Sequence, residues 1–191
     1  MKEIEIKIKL ADLASLIRKV ESLGGIKRPE NFEHDTMYDD GKGFFDNERV
    51  LRLRKATNGN LLTYKEKDIS DHHDNLLKRT EIQTKVDDYD QMDAILRKLG
   101  FFPYRIKEKI STEYQLDGVI LDFHKIPFLG DFLEIEADED KLPAILAKIG
   151  FNLTDGINKN YTKLFFEFCD QNGLSHDVPQ TFDEEKKHSL Q

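Results

Sequence analysis

Residues 3–9 read EIEIKIK, and the same alternation returns in strand-length pieces along the chain. As a strand, this piece puts Ile4, Ile6, Ile8 and Leu10 on one face and Glu3, Glu5, Lys7 and Lys9 on the other. Arg52 and Arg54 alternate with Leu51 and Leu53, Lys65 and Lys67 follow Leu62 and Tyr64, and Arg79, Glu81 and Gln83 share a face. Further on, Lys107 and Lys109 share a face, Asp122 and His124 alternate with Leu121 and Phe123, and Glu134 and Glu136 alternate with Leu133 and Ile135. Such strands have one side that must be covered and one that must stay polar. The chain is therefore restricted to sheets with two unlike faces.

Helical spacing punctuates the strands. Asp12 reads as the N-cap of a helix whose Leu13, Leu16, Ile17, Val20 and Leu23 recur at helical spacing, closed by Gly24-Gly25. Extended segments are expected at 32–39, 49–56, 60–67 and 77–86, with turns at 41–43 and 58–60. DISDHHDN at 68–75 has no period and reads as a loop. A second helix fits 88–99, strands fit 103–115, 118–125 and 131–138, and further helices fit 139–149 and 157–169. Strands outnumber helices and follow one another as antiparallel neighbours do, which predicts an α+β fold built on a large, curled antiparallel sheet. One domain is expected over 1–169 with a polar tail over 170–191, of which HDVPQTFDEEKKHSLQ at 176–191 reads as mobile.

The ionic face has two readings. Helices cover the apolar face and the charges meet water, or the sheet curls so that the charges line an interior channel. A solvated face is served equally well by serine, threonine and glutamine. This one repeatedly uses arginine, lysine and paired glutamate, which favours the second reading. Enclosed charges of this kind need a ligand or counter-ions, because buried unpaired charge is costly. The basic strands suit a polyanion, with arginine forks and lysine point charges on phosphate oxygens. Carboxylates two positions apart suit a hard divalent cation, Mg²⁺ or Mn²⁺, bridging those phosphates. Together they describe a site for a nucleotide or another triphosphate.

Composition narrows the partners. The 29 basic and 37 acidic side chains leave a net charge of −8, which argues against a general nucleic-acid or anionic-membrane surface. Cys169 is the only cysteine, so no intramolecular disulfide or multi-cysteine zinc site can form. With no cationic leader ahead of the first strand and no apolar run of membrane-spanning length, a cytoplasmic protein is expected. No glycine-rich loop ends in GK[ST], and no HExxH pattern is present.

Glu3-Ile4-Glu5-Ile6-Lys7 matches an ExExK signature, and an ordered set of further motifs accompanies it. These are HDTMYDD at 34–40, LRLR at 51–54, TYKEK at 63–67, KRTEIQ at 78–83 and LGF at 99–101. A lysine-bearing strand at 105–109, VILDF at 119–123, LGDFLEIE at 129–136 and NYTKL at 160–164 follow. In this order, over roughly residues 1–165, the chain resembles the CYTH superfamily, the triphosphate tunnel metalloenzymes. Within it, the chain is most similar to the CyaB-like class IV adenylyl cyclase group.

The resemblance implies an eight-stranded antiparallel β-barrel, or tunnel, with helices packed outside and a triphosphate held within. Carried over by position, it implies Glu3, Glu5, Asp122, Glu134 and Glu136 as ligands of Mg²⁺ or Mn²⁺. Lys7, Arg52, Arg54, Lys65, Arg79 and Lys107 become the phosphate-binding set, with Glu81 orienting a basic neighbour or joining the metal site. Glu5, Lys7, Glu134 and Glu136 are the residues expected to carry the chemistry. Two positions depart from the pattern. Lys107-Glu108-Lys109 stands where relatives carry a lysine followed by arginines, and Asn160 stands where serine is usual.

Three functions are consistent with this set. The first is conversion of ATP to cyclic AMP and pyrophosphate. The second is hydrolysis of inorganic triphosphate, thiamine triphosphate or a nucleoside triphosphate. The third is non-enzymatic binding of a polyphosphate or nucleotide, which gains little from the carboxylate pairs. The expected partner is a small-molecule triphosphate, with no nucleic acid and no membrane; a homodimer is compatible with the sequence. His72 and His73 read as solvated, His34 as surface, and Phe165, Phe166 and Phe168 as core. Tyr161 and Lys159 either close one tunnel end or pack a helix.

Overall fold

The computed structural model describes residues 3–42, 44, 49–67, 79–138 and 140–189, the side chains of residues 3, 4, 67, 79 and 80 excepted. The expected loop at 68–75, with His72 and His73, lies outside them. The strands are β1 (Glu3–Lys9), β2 (Ile26–Lys27), β3 (Asn31–Asp39), β4 (Val50–Ala56), β5 (Asn60–Lys67), β6 (Arg79–Val86), β7 (Phe102–Leu116), β8 (Val119–Ile126) and β9 (Gly130–Asp138). The helices are α1 (Leu13–Ser22), α2 (Tyr89–Lys98), α3 (Leu142–Ile149), α4 (Tyr161–Asn172) and α5 (Phe182–Ser189).

Strand pairing follows the order β1-β9-β8-β7-β3-β4-β5-β6, with β2 joined to β7. The α+β class and the antiparallel sheet agree with the expectation. In its hydrogen bonding the sheet is an open path, since no ladder joins β1 to β6 among the described residues. The chain forms two compact units, Met1–Phe32 with Lys109–Gln191, and Glu33–Glu108. β7 runs through both.

In the first unit, the Asp12 carboxylate accepts the Ser15 N–H at 2.9 Å and caps α1. The helix stops where Gly25 folds back on Val20; a Cβ on Gly25 would lie 2.5 Å from Val20 Cγ1. Leu16 and Val20 of α1, with Leu142, Ile145, Leu146 and Ile149 of α3, cover Ile6, Ile8, Leu121, Phe123, Leu133 and Ile135 of the strands. The apolar half of the opening pattern is thus the core. The residues between them, Glu5, Lys7, Asp122, His124, Glu134 and Glu136, occupy the opposite face.

That opposite face is partly covered at one end by α4. Asn160 caps this helix by accepting the Lys163 N–H at 2.9 Å, so the departure from serine conserves the capping role. Phe165 and Cys169 of α4 pack on Ile126, Leu129 and Phe132.

The stretch 170–191, expected to be a polar tail, carries helical structure. α4 continues to Asn172, and α5 follows. Phe128, in the β8–β9 turn, donates its N–H to Glu185 Oε1 at 2.6 Å, and its ring meets Phe165, Phe168 and His188. Gln180, only 1% exposed, donates its side-chain N–H to the Pro127 carbonyl. A few long-range anchors hold a segment whose average composition reads as a tail.

In the second unit, Asp88 caps α2 by accepting the Gln91 N–H at 2.9 Å. Leu96 and Met92 of this helix pack with Tyr38, Leu51, Leu53 and Val86. Glu33, Asp35, Arg52, Arg54, Thr63, Lys65, Glu81 and Gln83 share the other face, as their register requires. Among the described residues no helix is long and apolar enough to cross a membrane.

Candidate functional site

The β1–β9 register sets Glu5 directly opposite Glu136 and Lys7 directly opposite Glu134. On the next strand, Asp122 lies opposite Glu134. Lys7 is 8% exposed, and its ammonium is 3.0 Å from Glu134 Oε1 and 3.4 Å from Glu5 Oε1. It also lies 4.4 Å from the centroid of the Tyr161 ring, a cation–π contact. Tyr161 arrives there because the segment before α4 is tied to β1: the Ile157 N–H donates to the Lys7 carbonyl at 2.7 Å.

His124 is fully buried at the middle of this cluster. Its Nε2 is 2.7 Å from Asp122 Oδ2 and 3.0 Å from Lys109 Nζ, and its Nδ1 is 3.0 Å from the Tyr161 hydroxyl. Ser111 donates to the other Asp122 oxygen at 2.6 Å. Burial raises the Asp122 carboxyl, but the His124 hydrogen bond, with His124, Lys109 and Ser111, holds it below its ordinary value. Burial likewise opposes ionisation of Glu134, and the charges of His124, Lys7 and Lys109 outweigh it. Burial first, and then the charges of Glu134, Glu5 and Asp122, push the Tyr161 phenol far above its usual range.

The second unit carries a cationic cluster. Arg54 forks onto Asp35, with Nε 2.6 Å from Oδ1 and Nη2 2.8 Å from Oδ2, while its Nη1 is 2.7 Å from Glu33 Oε2. Arg52 Nη1 is 3.5 Å from Asp35 Oδ2, and its Nη2 donates to Thr63 Oγ1 at 3.2 Å. Thr63 in turn donates to Gln83 at 3.1 Å. Lys65 pairs with Glu81 at 2.7 Å. Burial lowers the Arg52 guanidinium from its ordinary value, with Asp35 opposing. Lys107 is pushed down to about 8, by burial first and then by the Arg105 charge. Its positive charge therefore fades as pH rises through that value.

The acidic residues of the first unit suit a divalent cation in chemistry and in register. Carboxylate oxygens are the donors that Mg²⁺ and Mn²⁺ prefer. Glu5 and Glu136, directly opposite on adjacent strands, repel one another, and a cation between them would relieve this. Among the described residues, no three His, Cys, Asp or Glu side chains already converge to hold a metal. The Lys7 ammonium bridges Glu5 and Glu134 instead.

Of the sequence-predicted residues, Glu5, Lys7, Asp122, Glu134 and Glu136 share the first unit's polar face, and Arg52, Arg54, Lys65, Glu81 and Lys107 belong to the second. The side chains of Glu3 and Arg79 lie outside the described residues. Sequence reasoning placed His124 and Lys109 on ionic faces without assigning them to the site, and passed over Ser111 in the first unit and Glu33 and Asp35 in the second. It also left Tyr161 undecided. The usable signal was parity, since His124 is two positions from Asp122 and Asp35 two from Glu33.

A family model described as CYTH domain matches residues 1–154. MJ0240 of Methanocaldococcus jannaschii, whose name provisionally assigns it to the adenylate cyclases, is 28% identical over 176 residues, 86% of this chain and 98% of that protein. The PH1012 protein of Pyrococcus horikoshii superposes with a TM-score of 0.70 at 23% identity, covering 85% of this chain and 99% of its own. HpAC1 of Hippeastrum, provisionally named an adenylyl cyclase and described as having a dominant triphosphatase activity, superposes with a TM-score of 0.61 at 16% identity, covering 91% of this chain and 97% of its own. At these identities the two structures speak for the fold.

Proposed function

The chain belongs to the CYTH domain family, and from that premise we propose that it is a metal-dependent enzyme acting on a triphosphate. The observation that carries this reading is the β1–β9 register, which sets Glu5 against Glu136 beside Lys7 against Glu134. These pairs lie on the face turned away from α1 and α3.

Glu5, Glu134 and Glu136, with Glu3 and Asp122, would hold Mg²⁺ or Mn²⁺, which when bound supplies Lewis-acid charge to phosphoryl oxygens. Lys7 offers a point charge to a phosphate oxygen, and Glu134, held ionised, keeps that ammonium in place. Arg52 and Arg54 offer planar forks, and Lys65, Arg79 and Lys107 offer further charge. Glu81 orients Lys65 through their 2.7 Å contact.

In the first reading the substrate is ATP. Its 3′-oxygen attacks the α-phosphorus, pyrophosphate leaves, and the cations neutralise the charge that accumulates on the leaving group. The name given to MJ0240 supports this reaction. The activity attributed to HpAC1 favours a second, in which water attacks the terminal phosphorus and inorganic phosphate is released.

Incubating the purified protein with ATP, and separately with tripolyphosphate, in Mg²⁺ or Mn²⁺ tests both. Cyclic AMP with pyrophosphate on chromatography is the outcome of the first reading. ADP with phosphate, or phosphate from tripolyphosphate, is the outcome of the second. Tight binding with no turnover of any triphosphate would overturn both.

A further inference from the structure

Lys7 stands where an incoming cation must compete. Its ammonium is 3.0 Å from Glu134 and 3.4 Å from Glu5, two of the carboxylates assigned to the metal. The Tyr161 ring faces the same ammonium at 4.4 Å. We propose that Lys7 is a built-in counter-ion that bars a lone divalent cation from the acidic centre and yields its place when the cation arrives with a triphosphate.

The reasoning rests on the metal-dependent reading above and on the cost of stranding a buried charge. Displaced by a free divalent ion, Lys7 would lose its carboxylates and gain no anion, which is unfavourable for an ammonium this buried. A triphosphate supplies the missing partner, because its oxygens accept strong charge-assisted hydrogen bonds from lysine. Cation and triphosphate therefore assist each other, and the coupling runs through Lys7. Asp122 already has its partners in His124 and Ser111, so Glu5 and Glu134 are the carboxylates whose partner changes.

Calorimetric titration of the full chain with Mn²⁺ alone, without any triphosphate, tests this. Lys7→Met should bind Mn²⁺ about tenfold more tightly than wild type, within the usual span of such couplings. Lys7→Arg, which keeps the charge, should not gain. Lys109→Met removes a different ammonium of the same cluster, 3.0 Å from His124, and should gain less than Lys7→Met. Circular dichroism checks folding, and Lys7→Gln serves as a second variant. No gain in Lys7→Met, or an equal gain in Lys109→Met, would overturn the counter-ion role. If Lys7→Met gains nothing while Glu136→Gln abolishes wild-type Mn²⁺ binding, the counter-ion role falls and the metal reading stands. If no variant shows carboxylate-dependent Mn²⁺ binding, both fall.

Discussion

Glu136→Gln should lower metal-dependent turnover by at least about 100-fold, more than the loss typical of disturbing a group one step removed from a metal. The fold should be untouched. Glu136 is an exposed residue between the buried Ile135 and the buried Ala137, so no core contact is lost. Glutamine keeps the shape and removes the charge. Because Glu136 faces Glu5 directly across the β1–β9 ladder, losing one of two facing carboxylates should leave stability within about 0.5 kcal/mol of wild type, or slightly raise it. Steady-state kinetics and urea unfolding on the same preparation check the two halves. Turnover at the wild-type rate would remove Glu136 from the site, and a large loss of stability would make its role structural.

The largest effect on folding is expected at Arg54. Arg54→Ala should destabilise the chain by about 3–5 kcal/mol, the usual result of removing one partner from a buried ion pair. The guanidinium forks onto Asp35 and also meets Glu33, which are 8% and 6% exposed. Without it, two buried carboxylates would lose this guanidinium, and the Arg52 contact to Asp35, at 3.5 Å, is longer than the fork it would have to replace. Urea unfolding measures this, and a loss below about 1 kcal/mol, the scale of an exposed pair, would show that the fork does not hold these acids. The sequence alone points to weakened triphosphate binding as the main consequence of this change. Seen with its acidic partners, Arg54 also holds its own unit together, and Arg52 is the cleaner probe of phosphate binding.

The strands were legible because alternation has one burial solution. Leu133 and Ile135 vanish into the core while Glu134 and Glu136 stay out of it. Helix starts were legible where a short polar side chain precedes an apolar period, as at Asp12 and Asp88. β2 is two residues long and the 3₁₀ turn Leu153–Asp155 three, too short to show a period. α5 was missed because its anchors act singly and at long range, as Glu185 does on Phe128, 57 positions away.

The site divided in the same manner. Residue types that advertise phosphate or metal chemistry were found from the ionic faces and the family motifs. Their counter-ions were not, because which acid meets which base depends on register and rotamer. Asp35 and Glu33 sit in FEHDT with nothing to mark them as the partners of Arg54. His124 alternates with Asp122 in the sequence, yet only its burial against Tyr161, Lys109 and Asp122 reveals it as the hub of the cluster.

Anomalous diffraction from crystals grown with Mn²⁺ and tripolyphosphate tests the central assignment most directly. The expected result is an Mn²⁺ peak within coordinating distance of Glu5, Glu134 and Glu136, on the side of β1 and β9 away from α1 and α3. Bound tripolyphosphate with the Mn²⁺ peak on other carboxylates, or with no peak at these three, would contradict it.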